Sequence, residues 1–423
     1  MQRSITTFML LMVSVSAILG SGWLFSAYYT AVSTGPAALL SWVIAGISVT
    51  FVAFVFAELN TMLPVMGAST RIPQITHGTL VGFMYSWIIW VCYAAIAPTE
   101  VQAVIQYLNF YYPSLVHTNG ALTTNGYQCA TGLMLIVSAF NVFSMRWLLR
   151  CNTALTLMKI IIPLLVIVFI FAYYFTPHRV IYAADSDFMP MGIKGMLSVI
   201  ASGGIIYAFN GFTQACEFGG MVKNPAVSLP IAIVGSVLLT MLIYLGLQAA
   251  FLTSLTPFNI MHGWKTLSLD RATSPLAAIL HQDGFAWLIP ILFVGAIIGP
   301  LAASLVYFGS AAQSLRNTSI NGYLPYFLQI LSPQQTPIYA LFVNFLFGMT
   351  LFAPLPGWNK MISFLTSLMT LTYTIGPICL IALRDQAPHQ KRPLRLPFAT
   401  VWGSIAFYPV SYTHLTLPTI LRV

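Results

Sequence analysis

A few chemically capable residues lie where they are hardest to tolerate, inside long apolar runs. Gly20-Ser21-Gly22 interrupts the first run. Ser202-Gly203-Gly204, followed by Tyr207-Ala208-Phe209-Asn210-Gly211, interrupts a later one. Paired glycines weaken a helix and free its backbone N–H and C=O groups. In hydrocarbon such groups must be satisfied by protein, water or a bound solute. Lys159, Glu100 and Glu217 are ionisable groups within apolar runs, and such groups can carry protons. Glu58 sits near the end of a run and fits a gate or loop contact better. The seven histidines fall in loops or at run ends and share no ligand spacing. The five cysteines, Cys92, Cys129, Cys151, Cys216 and Cys379, form no CxxC or Cys/His cluster, so neither a metal site nor a disulfide framework is implied. There is no HExxH and no GxSxG. The chemistry these residues suit is solute binding and proton exchange rather than bond making.

The elements that must position them are membrane helices. Charged residues are 6% of the 423 and hydrophobic residues 58%, against roughly a quarter charged in soluble domains. The net charge of +9 comes from basic residues scattered singly or in twos, with no stripe that would engage nucleic acid. A span needs about 20 apolar residues to cross roughly 30 Å. Runs at about 6–31, 37–63, 78–110, 126–145, 152–175, 195–218, 228–254, 285–315, 337–354 and 361–383 predict ten spans, and an eleventh opens near Phe398. The charged, apolar N-terminus reads as an uncleaved first span rather than a signal peptide. With that terminus in the cytoplasm, ten basic residues (Arg3, Arg71, Arg146, Arg150, Lys223, Arg316, Arg384, Lys391, Arg392, Arg395) fall inside. Five (Arg179, Lys194, Lys265, Arg271, Lys360) fall outside, together with Asp185, Asp187, Asp270 and Asp283. That bias follows the positive-inside rule.

The two halves show faint self-similarity. Residues 35–46 laid over 224–235, at an offset of 189, match at five of twelve places. The same offset carries 20–22 onto Phe209-Asn210-Gly211. Interruptions in corresponding spans of two halves are the best sequence pointer to a transporter's binding site. An odd number of spans per repeat inverts the second copy, so five plus five is the natural reading.

These pieces resemble the amino acid–polyamine–organocation superfamily of permeases. The resemblance rests on Gly20-Ser21-Gly22-Trp23-Leu24-Phe25, Gly35-Pro36, Glu58-Leu59 with Pro64 and Gly67, Lys223-Asn224-Pro225 with Pro230, and Asn321-Gly322-Tyr323-Leu324-Pro325, over about residues 5 to 408. Ala97-Pro98-Thr99-Glu100-Val101-Gln102-Ala103 with Gln106-Tyr107 is similar to the aspartate–proton symporter branch. The resemblance implies an all-α integral membrane fold, a five-plus-five inverted-repeat transporter with discontinuous first and sixth spans. The repeats would cover about 6–175 and 195–383 of a transporter domain at 1–408. Family members usually have twelve spans, so the chain reads as C-terminally truncated. Residues 409–423 read as a non-native tail.

The resemblance also implies an amino acid as the solute and secondary active transport as the activity. A zwitterion would lay its carboxylate on the half-helix starting near Gly22, where N–H groups and the positive dipole end converge. Its ammonium would meet carbonyls near Ala17 to Leu19 and near Ala208 and Phe209. Ser21 could add a hydroxyl, Gly20 and Gly211 would permit close backbone approach, and Tyr207 and Phe209 could form an aromatic wall. In proton-coupled relatives a lysine in the fifth span takes the place of a bound sodium, and Asn152-Thr153 with Lys159 resembles that pattern. Lys159 is then the expected proton-linked switch, with Ser304 a neighbour and Glu100 a second proton carrier. The expectation is proton-coupled symport of an acidic or neutral amino acid, with no cofactor beyond the proton gradient. The chain would lie in a bacterial inner membrane among lipid, with no nucleic-acid partner. Exchange of amino acids or amines is the alternative, ahead of a channel or an intramembrane enzyme.

Overall fold

A computed structural model describes residues 5–142, 145–174, 188–267, 269, 274–282, 284–397 and 404. The expected eleventh span, the 409–423 tail, and Arg3, Arg179, Asp185, Asp187, Asp270, Arg271 and Asp283 lie outside the described residues. Among the described residues every regular element is helical. Three isolated bridges, Ile5–Val222, Met66–Phe218 and Val116–Leu122, are the extended pairings found there.

Helix α1, Thr7–Ile18, begins where the Thr6 hydroxyl accepts the Met9 N–H at 3.3 Å. The chain opens over 19–21 and resumes as α2, Gly22–Thr34. Gly35 at φ +61 and Pro36 turn it into α3, Ala38–Met62. Helix α4, Ala68–Leu108, is bent at Gly78 (φ +81), so the span expected from residue 78 runs on from an earlier helical segment. Helices α5, Thr124–Asn141, and α6, Met145–Tyr174, complete the first half. The sixth run is three pieces: α7, Gly192–Ser202, α8, Ile205–Ala208, and α9, Gln214–Glu217. Helix α10, Pro225–Ser254, starts with a proline in its first turn, where a missing N–H costs nothing. Next come α11, Pro275–Gln282, inside an expected loop, α12, Ile289–Ile320, α13, Ile338–Leu351, and α14, Trp358–Gln386.

Among the described residues six stretches are long and apolar enough to cross a membrane, at 22–62, 68–108, 152–173, 225–254, 286–320 and 358–386. The difference from ten has physical causes: α13 is only 14 residues long, the first turns of α5 are polar, and the remaining two spans are lost at the breaks and the first bend. Helices α1 and α7 are halves of interrupted runs, and α2 and α3 run together around the Gly35-Pro36 bend. The broken runs sit at the centre: α1 packs against α10 and α6, α3 against α10, and α12 and α14 against α4. Outward faces of α5, α6, α10 and α13 expose Leu135, Ile161, Val168, Leu242 and Phe342. Such side chains face hydrocarbon at no cost in a membrane, whereas on a soluble protein they would form an aggregation-prone patch.

Candidate functional site

The two breaks meet backbone to backbone. At the first, the Gly20 N–H bonds to Ile18 O at 2.9 Å, ending α1, and no side chain caps the start of α2. The first N–H groups of α2 therefore open on the break. At the second, Gly204 (φ +82) ends α7, and Gly211 (φ +137) lies in the irregular stretch after the single turn of α8. A Cβ on Gly22 would lie 2.9 Å from Ala208 Cβ and 3.0 Å from its Cα. A Cβ on Gly211 would lie 2.5 Å from Ile18 N and 2.6 Å from Ala17 C. Only glycine fits at such distances. The Tyr244 hydroxyl on α10 lies 2.9 Å from both Ile18 O and Ala208 O, so one O–H serves a carbonyl from each break.

Glu100 enters from α4. It is 2% exposed, and Tyr207 donates to its Oε1 at 2.5 Å, while Oε2 has no hydrogen-bond partner. The carboxylate lies so close to Gly20 that a Cβ there would strike it. From the first turn of α14, Trp358 Nε1 donates to Ser21 Oγ at 2.7 Å. The Trp358 ring stacks on Phe25 at 4.7 Å and meets the edge of Tyr207 at 5.9 Å. Phe209 instead packs on Trp42 and Tyr244, each at 5.6 Å. Tyr207 and Phe209, expected to share one wall, thus belong to two separate aromatic clusters. Positions two apart on a helical turn point to opposite sides, and Phe209 caps that turn.

Lys159 lies on α6, 2% exposed. Its Nζ donates to Ser16 O at 2.7 Å and to Ser16 Oγ at 3.1 Å. The ammonium thus sits at the C-terminal, negative end of the α1 dipole. It is within Coulombic reach of Glu100, although the ion pairs found among the described residues both belong to Glu58. Ser304, expected beside Lys159, makes its hydrogen bonds elsewhere. On α12 it donates to Pro300 O at 3.0 Å and lies 3.5 Å from Ala97 O. A short side chain one turn past a helix proline is drawn to the nearest carbonyl of its own helix. Glu217 accepts from the Tyr93 hydroxyl at 3.3 Å, away from the breaks. Asn210 donates to Tyr307 at 2.8 Å and accepts from Tyr373 at 2.9 Å. No cluster of His, Cys, Asp or Glu among the described residues could hold a metal ion.

Sequence reasoning missed Tyr244, Gln248 and Trp358. Gln248 takes Thr30 at 2.5 Å and Trp42 Nε1 at 2.9 Å on its carbonyl and donates to Ala27 O at 3.2 Å. A signal was present. Ser236, Thr240, Tyr244 and Gln248 recur every fourth residue of an otherwise apolar helix, which places them on one face, and all four are buried.

The amino acid permease family profile matches residues 5–417. The glutamate/serine transporter AimA of Bacillus subtilis is 31% identical over 96% of this chain and 77% of its own length. The aspartate-proton symporter of the same organism is 28% identical over 96% and 78%. The branched-chain amino acid permease BcaP of that organism is 27% identical over 96% and 86%. With a profile matching residues 5–417 and relatives aligned over 96% of its length, this chain is a multi-pass membrane transporter of the amino acid permease family.

Proposed function

We propose that this chain is a proton-coupled symporter of an acidic or neutral amino acid, which it binds between the two helix breaks. One observation carries the reading: the breaks abut through Gly22 and Gly211, with one tyrosine hydroxyl reaching a freed carbonyl from each. A zwitterion needs donors and acceptors together, and this junction supplies both from backbone alone. The N-terminal N–H groups of α2 take the carboxylate. Carbonyls at Ala17 to Leu19 and at Ala208 and Phe209 take the ammonium, with Gly20 and Ser21 in the turn between. Ser21 and Phe209 are 0% exposed, so entry requires a gate to move.

Lys159 is the proton-linked switch. A charged ammonium holds the end of α1 through Ser16, and a neutral amine releases part of that hold. Glu100, within Coulombic reach and touching the first break through Gly20 and Tyr207, relays the same proton. The offset of 189 and the equivalent positions of the two breaks favour an inverted five-plus-five repeat. The excess of basic residues on one set of loops favours a cytoplasmic N-terminus in the cell's inner membrane. Relatives named for glutamate, serine and aspartate, one of them with protons, favour the substrate class.

The test is uptake of a radiolabelled amino acid panel into proteoliposomes with and without an inward proton gradient. Gradient-driven accumulation of glutamate, aspartate or serine is expected. Saturable uptake that requires a counter-substrate inside the vesicle and ignores the gradient would replace symport by exchange.

A further inference from the structure

We propose that Glu58 is the catch of a latch that holds α14 shut against α3, and that the latch must open during transport. Glu58 lies one turn before the end of α3 and is 0% exposed. Arg384 Nη2, in the last turn of α14, lies 2.6 Å from its Oε1 and 2.7 Å from its Oε2. The backbone N–H of Leu396, beyond α14, donates to Oε2 at 2.8 Å, and Arg384 returns a bond to Leu396 O at 2.9 Å. Arg392 Nε stands 3.7 Å from Oε1. Its guanidinium closes the end of α14 through Leu383 O at 2.8 Å and Ala387 O at 2.9 Å. One buried carboxylate therefore fixes the end of α3, the end of α14 and the segment that follows it.

The surroundings have the parts of a two-state element. At this same end, bridges Ile5–Val222 and Met66–Phe218 join the start of the first run, the α3–α4 turn and the end of the sixth run. Beside the latch, a cleft between α3, α4 and α14 is lined by Phe56, Asn60, Ser69 and Cys379. Asn60 Oδ1 is buried there without a hydrogen-bond partner. An unpaired polar atom disfavours the shut form and gains water when the cleft opens. The ion pair opposes that opening, which makes the cleft bistable. Helix α14 carries the movement inward, because Trp358 at its other end is bonded to Ser21 in the first break.

Cleft opening is read without knowing the substrate, so the latch and the symport reading fail separately. Cys379, 1% exposed on α14, is kept as the sole cysteine, and its labelling by N-ethylmaleimide is timed in proteoliposomes well below the melting temperature. Glu58→Gln and Arg384→Gln should each raise the labelling rate by about tenfold or more. Arg384→Lys keeps the charge and provides a milder variant if the others do not fold; it should label at an intermediate rate. Folded variants that label Cys379 at the parent rate would overturn the latch.

Discussion

Replacing Gly22 by alanine tests the meeting of the two breaks most directly. Intrinsic propensity favours alanine over glycine in a helix by about 1 kcal/mol, so a loss cannot come from α2 itself. The added Cβ would lie 2.9 Å from Ala208 Cβ and 3.0 Å from Ala208 Cα. Carbon atoms in good contact are about 3.5–4.0 Å apart, so the breaks must part by roughly 1 Å. Overpacking of this kind costs about 1–3 kcal/mol. The Tyr244 hydroxyl could not then stay 2.9 Å from both Ile18 O and Ala208 O. At a factor of ten per 1.4 kcal/mol, affinity should fall by about 5- to 150-fold. Equilibrium binding of a labelled amino acid to the purified protein measures it, with uptake in proteoliposomes alongside. Adding Ala208→Gly removes the closer contact and leaves the Cα, so it should restore part of the loss. Binding by Gly22→Ala within about twofold of the parent would show that the junction does not hold the substrate.

Four further substitutions probe the groups around that junction. Tyr244→Phe deprives two buried carbonyls of one donor; a stability loss of about 1–2 kcal/mol is expected in denaturation, with weaker substrate binding. Gln248→Leu leaves Thr30 and Trp42 Nε1 without their shared acceptor, and should lower the melting temperature by more than Tyr244→Phe does. Glu100→Gln keeps an acceptor for Tyr207 but removes an incompletely paired buried group that can carry a proton. Thermal stability should hold or rise, while gradient-driven accumulation falls by at least about tenfold. Lys159→Ala removes both bonds to Ser16, and uptake should cease to respond to an imposed pH gradient; uptake that stays intact and pH-dependent would dismiss Lys159 as the switch.

The parts of this architecture that depend on local backbone chemistry were legible in the sequence. Gly20-Ser21-Gly22 and Gly203-Gly204 break helices because glycine weakens any helix, whatever surrounds it. The extents of α3, α10, α12 and α14 follow from apolar run length, and Gly35-Pro36 marks a real bend. What escaped depends on rotation about a helix axis and on packing between distant helices. Tyr207 and Phe209 are two residues apart, yet one turns to Glu100 and the other to Trp42. Ser304 and Lys159 occupy different helices, and spacing within each says nothing about their separation. Trp358 was invisible for the same reason: it stands 337 positions from Ser21 in the sequence. The α10 stripe could have been found, because four polar residues at intervals of four satisfy a test made on one helix alone.

The unbroken helices explain why the breaks can exist in hydrocarbon. Three of them supply one polar side chain each to backbone or side-chain groups at the breaks: Lys159 from α6 to Ser16, Tyr244 from α10 to Ile18 and Ala208, Trp358 from α14 to Ser21. Without these partners the exposed amides would cost several kcal/mol, and a continuous helix would be preferred. Two buried groups near the first break remain without partners, Glu100 Oε2 and Trp23 Nε1. The first faces Gly20, and the second faces the Gly299 surface of α12, which also lies near Gly20 O. One is an acceptor and the other a donor. A fold that satisfies its freed backbone so thoroughly, yet leaves opposite polar characters unmatched around a single glycine, is selected for something other than stability. On the proposed reading, a small ligand with a positive and a negative end supplies the two missing partners.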